Sequence, residues 1–215
     1  MNEIPSPFPI NSISFNVYTA LKKDILDGTL GPGERLIVLD IAGKYQISQA
    51  PVREALERLK QEGLIVGQPN KGSVVSDITS KEIRDIFILR EMIEGFAVKE
   101  SMPLLTEDDF RYLEHVLQEM DQAVKEYDSL KILEKDMEFH GFFYRKCNNS
   151  AILELWNHMK TKVMRFMAIS NRHYSTKKLV DWHKPLLEAI KSGNPAEAEA
   201  KVIEHMHSYK TIHLD

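Results

Sequence analysis

The sequence predicts a mainly α protein in two parts: an N-terminal winged helix-turn-helix, then an all-α six-helix bundle. Three observations predict it. Apolar residues recur at helical spacing along most of the 215 residues. Only Leu64-Ile65-Val66 and Ser73-Val74-Val75 read as strands, around the turn-prone Gln68-Pro69-Asn70-Lys71-Gly72. At Asp77-Ile78-Thr79 the pattern changes from mixed helix and strand to helix alone.

Each element follows in order. Residues 1–11, with Pro5, Pro7 and Pro9, are expected to be a flexible arm. The winged helix-turn-helix is expected over 12–78. Its first helix spans Ser14 to Asp27, where Phe15, Val17, Tyr18, Leu21, Ile25 and Leu26 repeat at near-helical spacing and Gly28 ends the run. Gly31-Pro32-Gly33 is a turn, and a short second helix covers about Leu39–Tyr45. After the break at Gln46-Ile47-Ser48, Ser48 is the expected N-cap of a third helix reaching Gln61, with Pro51 in its first turn and Gly63 closing it. Residues 79–215 hold the predicted bundle, with helices at about 80–100, 106–127, 129–147, 150–173, 176–192 and 195–211.

Composition narrows the function. At 43% hydrophobic and 28% charged residues the chain matches a globular protein. No apolar run reaches the roughly 18–20 residues of a membrane span, and no signal pattern opens the chain. The single Cys147 cannot form an internal disulfide, so the cytoplasm is the expected compartment. The net charge is −4, and residues 1–78 hold 8 Lys/Arg against 9 Asp/Glu. Nucleic-acid binding therefore needs a local basic face, which Lys44, Arg53, Arg58, Lys60 and Lys71 supply against Glu54, Glu57 and Glu62.

In a winged helix the third helix enters the major groove, about 12 Å wide, and the wing lies along the backbone or minor groove. Ser48, Gln49, Ala50 and Arg53 would face bases and phosphates. Arg53 can bind guanine bidentately or pair with a phosphate, and Gln49 can pair with adenine. Lys71 would contact phosphate, and Gly72 would let the wing backbone approach. Periodicity alone fits an ordinary amphipathic surface helix equally well.

The run Pro51-Val52-Arg53-Glu54-Ala55-Leu56-Glu57-Arg58-Leu59, then Glu62-Gly63-Leu64, resembles the GntR family of regulators. So do Gly28, Pro32-Gly33-Glu34-Arg35-Leu36 and Pro69-Asn70-Lys71-Gly72. The resemblance implies a DNA-contacting Arg53, Gly72 at the wing tip, and a homodimer reading a palindromic double-stranded DNA operator. Two positions depart from it: Gln49 stands where many members have Arg, and Gln46 where the turn usually has Gly.

In the helical half, Asp136 and His140 are a turn apart on one helix face. His183 and His205 each lie 10 residues from the break at Gly193–Pro195, about 15 Å of helix, so an antiparallel hairpin would set them side by side. One carboxylate and three imidazoles suit a divalent metal ion, Zn²⁺ first, with Ni²⁺ or Mn²⁺ as alternatives. Eight histidines in the chain also allow such spacings between unrelated residues. Asp136-Met137-Glu138-Phe139-His140, then His183 with Leu187-Glu188-Ala189-Ile190, then His205 resemble the FCD effector domain of the FadR subfamily, and six helices suggest its VanR-like branch. The resemblance implies a metal on Asp136, His140, His183 and His205, and a small organic acid as effector. Arg90 and Glu94 match that domain's Arg-x-x-x-Glu pattern, with Arg90 either clamping the effector carboxylate or bridging to Glu94.

Pro185, two residues after His183, would kink a continuing helix or mark its first turn. His115, His158, His173, His207 and His213 lack partner spacing. Trp156, Phe142, Phe143, Phe166 and Met167 read as core, and Asn149 as a helix cap. Two other classes compete with a regulator. A metal-dependent hydrolase or lyase with an accessory winged helix lacks a visible general base, and a protein-interaction module would not depend on Arg53.

Overall fold

The computed structural model describes residues 12–68, 72–173 and 179–207. The expected arm and Lys71 lie outside the described residues. Contacts divide the chain into two compact units that meet between Asp77 and Ile78.

In the first unit, α1 (Ile13–Leu26) opens on Ser12, whose hydroxyl accepts from the Phe15 amide. It packs on α3 (Gln49–Gln61), with α2 (Val38–Tyr45) between them in sequence. Val17, Tyr18, Leu21, Ile25 and Leu26 of α1 meet a core that α3 completes with Val52, Ala55, Leu56 and Leu59, all buried. Three strands follow the order β1-β3-β2: β1 (Arg35–Leu36), β2 (Ile65–Gln68) and β3 (Gly72–Val75), all antiparallel. β1 was not expected from the sequence. It pairs Arg35 with Val74 and Leu36 with Ser73, which makes β3 the central strand. Gln68 and Gly72, read as turn, instead pair with each other as strand ends.

Three local details refine the sequence reading. Gln46 takes the left-handed conformation at φ 54°, and its amide bonds back to the carbonyls of Ala42 and Gly43. That geometry is the reason glycine is favoured at such a helix end; here an exposed Gln adopts it, at a cost of about 1–2 kcal/mol. Ser48 has the extended backbone of an N-cap, but its side chain makes no capping bond. Asn149 does cap, accepting from the Ile152 amide at 3.2 Å.

Every regular element described in the second unit is helical: α4 (Ser80–Ser101), a 3₁₀ turn (Met102–Leu104), α5 (Glu107–Glu126), α6 (Ser129–Lys146), α7 (Ser150–His173), α8 (Leu179–Lys191) and α9 (Pro195–Met206). Capping boxes start α4 (Thr79 with Glu82) and α5 (Thr106 with Asp109). Asn194 starts α9, with Pro195 following, where its missing N–H costs nothing. The main core joins Leu113, Val116 and Met120 of α5, Phe139 and Phe143 of α6, Leu186 and Ile190 of α8 and Val202 of α9. Tyr144, Trp156 and Met159 fill a second cluster and Phe87 with Phe166 a third. No described helix is long and apolar enough to cross a membrane. Pro185 sits inside α8 without ending it, and His183 beside it is fully buried.

Candidate functional site

The helical unit gathers four predicted ligands at one point. Asp136 and His140 come from the middle of α6, whose apolar neighbours Phe139 and Phe143 carry that face inward. His183 comes from α8 and His205 from α9, which pack together as the predicted hairpin. The Nε2 atoms of His140 and His183 are 3.1 Å apart, and those of His140 and His205 3.2 Å. The three imidazoles offer donor nitrogens within 4.8 Å of one another. Asp136 Oδ1 lies 3.2 Å from His183 Nε2 and 3.9 Å from His140 Nε2. Asp136, His140 and His183 are buried; His205 is partly so.

The outer edges of the rings show which nitrogens carry protons. His183 Nδ1 lies 2.8 Å from the Leu179 carbonyl oxygen, which can only accept, so Nδ1 donates. His140 Nδ1 donates to Glu94 Oε1. In neutral rings both Nε2 atoms then carry lone pairs, aimed at each other across a distance where two acceptors repel. Both oxygens of buried Asp136 lack a hydrogen-bond partner among the described residues. A divalent cation resolves each of these conflicts. Metal–nitrogen bonds of about 2.0–2.1 Å set neighbouring nitrogens about 2.9–3.4 Å apart, and both Nε2 separations fall in that range. The donor set fits.

The electrostatics of the cluster favour an ionised Asp136 and a neutral His205. Burial pushes the Asp136 carboxyl up, but His140, His183 and Arg90 outweigh it and hold the group below its ordinary value. Burial, then the neighbouring His183 and His140, hold His205 well below the ordinary histidine value, which keeps it neutral. Burial likewise raises Glu94, yet Arg90, His140 and Tyr144 hold it well below the usual carboxylate range.

Arg90 is buried, and its Nε and Nη2 donate to Glu94 Oε2 at 3.1 and 2.9 Å. Of its two expected uses, the bridge to Glu94 is present. Sequence reasoning missed Tyr144, whose hydroxyl donates to the same oxygen at 2.9 Å, and missed the reach of Glu94 to His140, 46 residues away. A buried polar residue spaced to meet Asp136 and His140 on the next turn of α6 was the signal available for Tyr144. Among the other histidines, His207 pairs with Glu91 at 3.4 Å, His115 lies 3.6 Å from Glu119, and His158 meets the Glu154 carbonyl.

In the first unit, Ser48, Gln49, Ala50 and Arg53 are all exposed at the start of α3. Gln49 Oε1 accepts from Arg53 Nη2 at 3.0 Å. Arg58, expected at the DNA, stacks instead over Tyr18 and Phe15, its guanidinium carbon 4.3 and 5.4 Å from the two ring centres. Tyr18 donates to Glu62, and Lys22 reaches both at 2.9 and 2.7 Å. The half-buried Arg58 is thus part of the α1–α3 packing. Gly72 has φ 72° and open space around it.

The model for bacterial regulatory proteins of the gntR family matches residues 14–75, and that for the FCD domain matches residues 85–208. The chain is 26% identical over 193 residues to the HTH-type transcriptional regulator YdhC of Bacillus subtilis, covering 88% of this chain and 86% of the relative. It is 28% identical over 187 residues to a gluconate operon transcriptional repressor of Bacillus licheniformis, covering 84% and 76%. Its fold matches the solved structure of E. coli McbR/YncC with a TM-score of 0.71 at 24% identity, over 94% of this chain and 96% of that one. The two sequence relatives are a transcriptional regulator and a transcriptional repressor, which sets aside the metal-dependent hydrolase or lyase. A groove-reading winged helix followed by an FCD bundle places the chain in the gntR family of bacterial regulatory proteins: it is a DNA-binding transcription regulator.

Proposed function

We propose that this regulator binds its operator as a homodimer, and that a small organic acid, held at a divalent-metal site in the bundle, modulates its affinity for DNA. The observation that carries the reading is the meeting of the three Nε2 atoms beside an unsatisfied, buried Asp136. Asp136, His140, His183 and His205 would hold the ion, Zn²⁺ before Ni²⁺ or Mn²⁺. When bound, it would supply open positions for ligand oxygens. Arg90, which bonds Glu94 through Nε and Nη2, would be the group that meets an effector carboxylate. The relative named for a gluconate operon points to the same ligand class, a small hydroxy acid.

The homodimer reading rests on α4, where Ile88, Met92 and Phe96, four residues apart, are 50%, 71% and 41% exposed. An apolar stripe of this kind favours a self-complementary partner. At the operator, Gln49 and Arg53 would read bases, Ser48 and Ala50 would line the groove, and Lys71 and Gly72 would serve the wing. A bacterial operator would be met in the cytoplasm.

The test is a thermal-shift screen of gluconate and other small hydroxy acids on Zn²⁺-loaded full-length protein, with operator retention measured alongside. A hit should raise the melting temperature and change operator affinity. An acid that stabilises the protein but leaves operator affinity untouched, throughout the screen, would refute the sensing role.

A further inference from the structure

The polar cluster extends beyond its four candidate ligands to Glu94 on α4, a buried carboxylate with four donors. Oε2 accepts from Arg90 Nε, Arg90 Nη2 and the Tyr144 hydroxyl, and Oε1 accepts from His140 Nδ1. We propose that Glu94 is a positioning residue for the metal centre: it fixes His140 in the tautomer that turns its Nε2 lone pair toward His183 and His205, while Arg90 and Tyr144 act on the centre through Glu94. The proposal rests on the metal-site reading above.

The contrast with His183 shows why a second helix is needed. His183 fixes its own tautomer locally, through the carbonyl four residues earlier on α8. The residue four before His140 is Asp136, which itself faces the cluster, and the acceptor at Nδ1 comes from α4 instead. A neutral imidazole has one N–H. With that proton on Nε2, the Nδ1 lone pair would face the Glu94 carboxylate inside the protein, an arrangement as costly as any unpaired buried acceptor. Glu94 can impose this choice only if it is itself held still. Arg90 and Tyr144 grip its other oxygen, Arg90 lies 5.2 Å from the Phe87 ring centre and 5.6 Å from that of Trp156, and Tyr144 stacks on Trp156 at 4.5 Å and 11°. Carboxylates behind metal-binding histidines commonly act in this way.

Two measurements on the full-length chain test it. In metal-free protein, ¹⁵N-histidine NMR should find His140 protonated at Nδ1; protonation at Nε2 in the wild type overturns the proposal outright. Zn²⁺ titrated against a chromophoric chelator should bind Glu94→Gln about 10–100-fold more weakly than wild type, with the His140 signal shifted toward the other tautomer. Glu94→Gln strands the Arg90 charge, so the neutral pair Arg90→Gln/Glu94→Gln serves if the single variant does not fold, with the same loss expected. Tyr144→Phe should weaken binding in the same direction by less; unchanged affinity there removes Tyr144 from the proposal. Equal affinity and an unchanged tautomer in the Glu94 variants overturn it. A wild type that binds no Zn²⁺ refutes the metal-site reading instead, and the tautomer measurement then judges Glu94 alone.

Discussion

His140 and His183 face each other Nε2 to Nε2 at 3.1 Å, while the Nδ1 of each ring meets an oxygen that can only accept. In neutral rings, two lone pairs this close call for a proton or a cation between them.

Supplying a cation should therefore stabilise the fold, and Asp136 sets up the sharpest comparison. Zn²⁺ at a thousandfold excess over its dissociation constant should stabilise the wild type by about 4 kcal/mol, reversed by EDTA. Asp136→Asn removes a buried carboxylate without a hydrogen-bond partner among the described residues. Because the folded protein holds this carboxyl below its ordinary value, the metal-free variant should be less stable than wild type near neutral pH, and it should also lose most of the gain from Zn²⁺. Differential scanning calorimetry with and without metal checks both halves; a variant that keeps the full gain from Zn²⁺ would contradict the account of Asp136.

Arg53 and Arg58 sit one and a half turns apart on the same helix and should respond differently. Arg53 is exposed and donates to Gln49, so Arg53→Ala should weaken operator binding by about 1–3 kcal/mol and flatten its salt dependence. Arg58 stacks on Tyr18, so Arg58→Ala should cost about 1 kcal/mol of stability with operator affinity nearly retained. Fluorescence anisotropy on operator DNA, paired with thermal unfolding, separates them.

Gly141 leaves no room for a side chain. An added Cβ would lie 2.9 Å from Trp156 Nε1 and 3.1 Å from Arg145 Nη1, and the Trp156 ring is backed by Tyr144. Gly141→Ala should destabilise the bundle by about 1–3 kcal/mol, read from chemical denaturation.

Acid should loosen the α5–α6 junction through Asp109. Its Oδ2 accepts from Lys146 at 2.7 Å and from the Thr106 amide at 2.8 Å, and the Lys146 bond leads in lowering its carboxyl below the ordinary value. With the folded value depressed, the unfolded chain binds more protons in acid. The stabilisation is present above the unfolded value of about 3.9 and is lost as pH falls through the folded one. Asp109→Asn should thus cost most near neutral pH, and the two denaturation curves should converge in strong acid. The group is near the surface, so high salt should shrink the difference.

The bundle helices were legible because of their apolar period, and five of them start on a side chain that accepts from the first turn: Thr79, Thr106, Asp128, Asn149 and Asn194. The meeting of α8 and α9 was legible from equal spacing about one turn. β1 was not, since two residues hold no alternation and its partner strand lies 37–39 residues later. Arg58 carried the same charge as its neighbours, and nothing local to α3 told that Tyr18 would claim it. Glu94 was visible only as the partner of Arg90, because the pattern records a helix turn and the second contact depends on how α4 lies against α6.

The central place of β3 has a mechanical corollary. Its flanks are held by β1 and β2, the Val75 carbonyl accepts from the Gly33 amide at 2.9 Å, and the Val75 amide reaches Glu34 at the same distance. β3 is thereby tied to the segment leading into β1 as well as to its two partner strands. A change in this unit that moves β3 must therefore carry β1, β2 and the Gly33-Glu34 segment along with it.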